Sequence, residues 1–442
     1  MARIEPFRGL RYNQEKITDL IEVTTPPYDV ISPEMQDKYY SLSPYNIIRL
    51  ELGKEYPQDN ESNNKYTRAA QLFEEWKKSN ILIKEDKPSI YIYQQVFTLN
   101  NNITKTRTGI ICGVELVDFS RGIVLPHEFT LSKPKTDRYN LMHATNANFS
   151  QIFSLYEDPS KTISDIINKN IKNVPVIDMV DEEGIRNRVW TIDKKEEIET
   201  IKETLKNKQL FIADGHHRYE TALAYKNDMA LANKQHTGNE PYNFVMMMLV
   251  DMNDPGLVIL PTHRMVKNLD GWNFERFLQR LKENFHVEKY PIISIEDNNI
   301  FNEIEEKLYA KGKENTTMAF YGGNGGLYFV SLKSREILDN IQTDMSYAYR
   351  NLDVTILHTL ILDNILGIDK EKLVNQDNVF YTRSIKEAIK EVERGNYQIS
   401  FILNATKIDE MKQVALHQEK MPQKSTYFYP KLLTGLVIND LK

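Results

Sequence analysis

The stretch Leu210-Phe211-Ile212-Ala213-Asp214-Gly215-His216-His217-Arg218-Tyr219-Glu220-Thr221-Ala222-Leu223 constrains the fold more than any other part of the chain. Its leading apolar residues read as a short buried strand, and Tyr219, Ala222, Leu223 and Tyr225 recur on a helical period. Asp214 stands where an N-cap is expected, directly before Gly215. His216, His217 and Arg218 then fill the first helical turn, beside backbone N–H groups without intrahelical acceptors and the positive end of the helix dipole. Such a turn suits an anion, above all a phosphate. The plainer reading is a capped helix whose imidazoles bond locally; the crowding of Asp, His, His and Arg favours function.

Zinc hydrolysis is a competing use of Asp214, His216 and His217. No His-Glu-x-x-His run occurs, and adjacent histidines on a helix diverge by about 100°, so sharing one ion is unfavourable. A divalent ion carried by nucleotide phosphates, with Asp214 beside it, suits these residues better.

The Gly215-His216-His217-Arg218 run after a strand resembles the signature of the ParB/sulfiredoxin superfamily, whose members bind nucleotides at this turn. Sulfiredoxin has a cysteine where this chain has His216, so its thiol chemistry is not expected. The Asp-Gly-x-His-Arg pattern is similar to that of the archaeal free-serine kinase branch. The chain also resembles the family catalogued as domain of unknown function 1015. That resemblance runs through Pro6-Phe7-Arg8-Gly9, Pro26-Pro27-Tyr28-Asp29-Val30, Asn46-Ile47-Ile48-Arg49-Leu50, Ala213 to Leu223, and Lys424-Ser425-Thr426-Tyr427-Phe428.

The resemblance implies an α+β fold: a ParB/sulfiredoxin-like nucleotide-binding core over 101–267, an N-terminal α/β segment over 1–100 and a C-terminal α/β domain over 268–442. Upstream of the central turn, Leu125-Pro126-His127-Glu128 is similar to the superfamily's N-terminal motif. By that motif Glu128 is the base that activates a substrate hydroxyl, and His127 a substrate contact. The requirement is physical, since an attacking hydroxyl must shed its proton. The alternative is a loop glutamate facing water.

At 442 residues the length suggests about three domains, or two with elaborations. A net charge of −6 argues against a generally basic nucleic-acid surface. Cys112 is the single cysteine, so no internal disulfide forms, and its apolar surroundings predict a buried thiol. The N-terminus has no apolar signal-peptide run, and no segment approaches the roughly 18 apolar residues of a membrane span. A cytoplasmic protein is the expectation.

Pro26 and Pro27 pre-set an extended segment ahead of Asp29, which is either a surface connection or a ligand contact. Ile90 to Phe97 and Thr106 to Leu116 read as a hairpin turned at Asn100-Asn101-Asn102. Between Thr130 and His143, Lys133, Lys135 and Arg138 suggest a cationic loop for a polyphosphate, the alternative being a solvated charge run. Asp193 is expected to cap a helix from Lys194 to Asn207. Asn243 to Val250 is an apolar strand with three successive methionines, read as core filling. His263-Arg264 at a strand end is a second-rank phosphate or substrate contact.

Gly322 to Gly326 lacks the Lys-Ser/Thr of a phosphate loop and reads as a hairpin turn. Val354 to Leu366 reads as a helix. The aromatic, proline-bounded tail Pro422 to Lys431 either folds back to donate Lys424, Ser425 or Lys431 to a site, or forms an ordered surface loop.

The leading expectation is a nucleotide-dependent phosphotransferase acting on a small hydroxyl metabolite, with free L-serine the best single choice by resemblance. ATP or ADP and Mg2+ are the implied cofactors. Asp214 orients the metal–phosphate group; Gly215, His216, His217 and Arg218 cradle phosphate; Lys133 and Arg138 neutralise it. His217 also joins Glu128 and Asp214 in catalysis, while Asp29, His127, His263, Arg264 and Lys424 are substrate contacts. The alternative is a ParB-like regulatory switch in which nucleotide closes a dimer. No membrane or nucleic-acid partner is expected, and homodimer formation is left open.

Overall fold

The computed structural model describes residues 1–99, 102–130, 132–292, 299–323, 326–375 and 377–442. The chain divides into two compact units. The larger comprises Met1–Pro126, Thr130–Val258 and Pro430–Lys442; the smaller comprises His127–Phe129 and Ile259–Tyr429.

The larger unit is built on a nine-stranded mixed sheet. Its strands are β1 (Ile4–Glu5), β2 (Ile90–Thr98), β3 (Thr104–Glu115), β4 (Val124–Leu125), β5 (Ile152–Tyr156), β6 (Ile177–Val180), β7 (Arg186–Ile192), β8 (Leu210–Asp214) and β9 (Phe244–Asp251). The order is β4-β8-β5-β9-β3-β2-β7-β6, with β1 paired to β3. Only β8–β4 and β9–β5 run parallel. The long β2–β3 ribbon is the expected hairpin; of its turn, Asn100 and Asn101 lie outside the described residues. A division at residue 100 would therefore separate two strands that pair with each other.

The sheet's central strands are apolar on both faces because helices and loops cover them. Met246, Met247 and Met248 are all fully buried, so this run fills core as expected. Cys112 is buried among Ile110, Val114 and Ile152. Ile212, Tyr219, Ala222 and Tyr225 belong to the same core, which anchors strand β8 and the following helix α2 (His216–Ala232). Truncating a residue such as Ile212 to alanine costs about 2–5 kcal/mol.

Two local expectations change. The segment expected as a cationic loop is mostly helix, α1 (Ser132–Thr145), packed on α2 through Lys135 and Glu220 at 2.9 Å. Leu131 lies outside the described residues. Asp193 does not cap the next helix, which runs Lys195–Lys206 from Lys194; Asp193 instead pairs with Lys87 at 3.4 Å.

The smaller unit has a six-stranded antiparallel sheet, continuing the numbering as β10 (His263–Val266), β11 (Phe285–Pro291), β12 (Thr317–Tyr321), β13 (Gly326–Leu332), β14 (Val379–Thr382) and β15 (Ile399–Ile402). Its order is β11-β13-β12-β15-β10-β14. Tyr321 pairs with Leu327 across the glycine-rich hairpin, whose Asn324 and Gly325 lie outside the described residues. The helix expected over Val354 to Leu366 begins as α-helix at Asp353–Ile356 and becomes a π-helix over Leu357–Asp363. No described helix is long and apolar enough to cross a membrane.

Candidate functional site

In the larger unit the site begins at a defect in the sheet. Phe211 and Ile212 of β8 face Leu155 and Ser154 of β5, but Asp214 faces Phe153, so Ala213 is an extra residue. Such a bulge bends the strand and re-aims the side chain that follows. Asp214 therefore closes the strand and does not cap the helix. The cap position belongs to Gly215, at φ +96° and without a side-chain cap. Here glycine is favoured on two counts. The left-handed backbone excludes most residues, and a Cβ would lie 3.0 Å from the Arg218 guanidinium.

Arg218 donates to the Gln151 carbonyl at 2.7 Å and approaches Asp214 Oδ2 at 3.9 Å. Lys431, delivered by the returning tail, donates to the same oxygen at 3.1 Å. Burial would raise the Asp214 carboxyl, but Lys431, Arg218 and His216 together hold it well below the usual carboxylate range. Asp214 is thus ionised at every physiological pH. His216 is buried and His217 half-buried on the first turn of α2.

A second layer supports this turn. Arg107, fully buried, donates to Gln95 and to the Pro430 carbonyl, the residue before Lys431. Burial lowers the Arg107 guanidinium to about 10, against the pull of Tyr93, Asp254 and Asp214. Tyr28, from the Pro26-Pro27-Tyr28-Asp29 segment, lies under the Arg138 guanidinium at 4.1 Å. Burial drives its phenol far up, opposed by Arg138 and, more weakly, by Arg218. Asp29 itself is exposed, in the short 3-10 turn Tyr28–Val30.

Arg138, expected to neutralise phosphate, is engaged by carboxylates of its own unit. It is 6% exposed, paired with Asp137 at 2.5 Å and Glu51 at 3.4 Å, and it donates to the Glu51 carbonyl. Burial of an arginine demands such anions, and they commit it to holding α1 against the Ile48–Glu51 helix. Lys133 is exposed on α1.

In the smaller unit the structure gathers several other expected residues. The backbone at Glu128 bridges Met421, and Lys424 N–H donates to Glu128 Oε1 at 3.1 Å. His127, buried, shares a 2.9 Å hydrogen bond with the Thr426 hydroxyl. Arg264 donates to the Lys424 carbonyl at 3.1 Å. Tyr381 feels both Arg264 and Glu128, though burial dominates the rise of its phenol. His263 accepts from Leu403 N–H at 3.3 Å, and burial followed by Arg264 pushes its imidazole down to about 3. The Lys424 side chain is exposed.

Arg107 and Tyr381 carried no sequence signal, because an isolated arginine or tyrosine within a strand looks like any other. No group of three metal-ligating side chains occurs among the described residues. Lys431 and Arg218 both approach Asp214 through Oδ2.

Three solved structures share partial likeness with the chain. A free serine kinase in complex with AMP is 13% identical, with TM-score 0.34, covering 72% of this chain and 86% of its own. A truncated SbnI from Staphylococcus aureus is 8% identical, with TM-score 0.36 and coverage of 75% and 89%. A conserved hypothetical protein from Pyrococcus furiosus is 13% identical, with TM-score 0.32 and coverage of 73% and 92%. None reaches the similarity from which a common fold follows. No curated protein matches the chain. A family model does, from Ile4 to Thr355, ending short of the Lys424 to Phe428 segment. The chain belongs to the family described as "Protein of unknown function (DUF1015)", matched over residues 4–355.

Proposed function

We propose that the protein is a nucleotide-dependent phosphotransferase acting on a small hydroxyl metabolite, with free L-serine the first acceptor to test. The observation that carries this reading is the turn at Asp214-Gly215. An ionised carboxylate, a glycine whose Cβ would fill the space, and the cationic Arg218 and Lys431 meet at a helix N-terminus. Backbone N–H groups there donate to phosphate oxygens, and preformed charge stabilises a transferring phosphoryl group. The larger unit is read as a ParB/sulfiredoxin-like nucleotide core.

In this reading Gly215, His216, His217 and Arg218 hold the phosphates of ATP or ADP, and Asp214 faces a nucleotide-borne Mg2+ that would neutralise charge. Glu128 takes the acceptor's proton as its oxygen bonds to phosphorus and the bond to the leaving nucleotide breaks. His127, His263, Arg264 and Lys424 are assigned to the acceptor's surroundings, and Asp29 is the reserve candidate for the base. Phosphoryl transfer needs mainly positioning and charge, so this inventory suffices.

The test is to incubate purified protein with nucleoside di- and triphosphates and a pool of small hydroxyl metabolites. Mass spectrometry should find a phosphorylated acceptor. Nucleotide turnover indifferent to every hydroxyl compound, together with nucleotide-driven dimerisation, would instead mark a regulatory switch.

A further inference from the structure

The smaller unit holds a partly open cavity of about 590 Å³ whose wall does not include Glu128. That volume falls within the roughly 300–1,000 Å³ of small-molecule sites. Tyr309, Tyr347, Val354 and Leu403 supply apolar wall, while Arg264, Lys313, Arg335 and Lys407 supply positive charge against Asp353, Asp409 and Glu410.

Arg264 is a buried cation of this wall. It sits on β10 and is 1% exposed, and among the described residues its guanidinium meets the Thr262 and Lys424 carbonyls and the Tyr381 ring at 5.6 Å. Among the described residues no carboxylate pairs with it, and its Nε has no partner. Buried guanidinium groups are ordinarily matched by an anion, because an uncompensated buried charge is costly. Arg138, by contrast, is matched by Asp137 and Glu51.

The neighbours of Arg264 do not supply the missing charge. Burial and Arg264 push both His263 and His358 down to about 3, so each stays neutral. His358 belongs to the π-helix, a distortion frequent at functional sites. Elsewhere on the wall, burial and Glu410 raise the Asp353 carboxyl to about 7, against Lys407.

We propose that this cavity binds a small organic anion, a carboxylate or phosphate ester, whose head pairs with Arg264 and whose apolar body lies along Tyr309 and Tyr347. The inference extends the assignment of Arg264 to the acceptor. It is tested without nucleotide, so it stands or falls separately from phosphoryl transfer.

Calorimetry on the full chain would compare phenyl phosphate and 3-phenylpropionate with the uncharged 3-phenylpropanol. Hydrogen exchange would locate the bound probe. The proposal expects at least one anion to bind tenfold or more tightly than the alcohol, with protection in 259–266, 347–357 and 403–410. Arg264→Gln should weaken that binding at least tenfold. Arg335→Glu, which reverses an exposed charge on the cavity wall and leaves the core intact, should weaken it several-fold. The proposal is overturned by alcohol binding as well as the anions, by no probe binding, or by protection confined to 214–218. A folded Arg264→Gln protein, or an Arg335→Glu protein, with unchanged affinity would also overturn it.

Discussion

Lys431 Nζ lies 3.1 Å from Asp214 Oδ2, joining two residues 217 positions apart in the sequence. Both side chains are largely buried, at 14% and 20% exposure, so the pair is not a screened surface contact. Lys431→Met would leave Asp214 with Arg218 as its nearer cation and raise the carboxyl's pKa. The expected loss is about 1–3 kcal/mol of stability, the scale of an unmatched buried charge. Urea unfolding of Lys431→Met, Asp214→Asn and the double variant checks it. The double variant should lose less than the sum of the singles.

Arg218 should matter to ligand more than to fold. If the start of α2 binds polyphosphate, Arg218→Ala weakens nucleotide binding by about 1.5–3 kcal/mol, the value of a charged hydrogen bond. Calorimetry giving equal affinities for both proteins would remove this turn from the account.

Gly215→Ala tests the same turn without changing charge. Its backbone at φ +96° strains any L side chain, and the added methyl would sit 3.0 Å from Arg218. The strain is worth about 1–3 kcal/mol. A lowered melting temperature with weakened nucleotide binding is expected. An unchanged protein would mean that the turn relaxes freely.

Much of the turn at Asp214 and Gly215 was legible because strand, glycine and helix are encoded within one short stretch. The bulge at Ala213 was not, since it depends on register against β5. That shift is why Asp214 ends a strand instead of capping a helix. Arg138 looked like a surface cation because a charge run reads alike whether solvated or buried; its partner Glu51 is 87 residues distant. The tail's return with Lys431 was anticipated only as one of two options, because aromatic and proline content does not say where a segment docks. The membership of His127–Phe129 in the smaller unit left no trace in composition at all.

Stability should fall on mild acidification. Burial lowers His263 and His358 to about 3, whereas unfolded histidine titrates near about 6.5. Below that value the unfolded chain takes up protons that the folded chain refuses, so stability is full above it and declines toward the folded value. Each histidine contributes up to about 1.4 kcal/mol per pH unit over this window. Melting temperatures between pH 7 and 4 should fall less steeply for His263→Gln than for wild type. Parallel slopes would show that His263 is protonated in the native state.

The most direct measurement concerns Glu128 as the base. A general base contributes about a hundred- to ten-thousand-fold to rate, while the proposed assignment places nucleotide affinity elsewhere. With nucleotide and L-serine or another accepted hydroxyl compound, Glu128→Gln should form phosphorylated product at least about a hundredfold more slowly than wild type, with nucleotide binding within a few fold. Turnover near the wild-type rate would contradict the account, as would equal losses of affinity and rate.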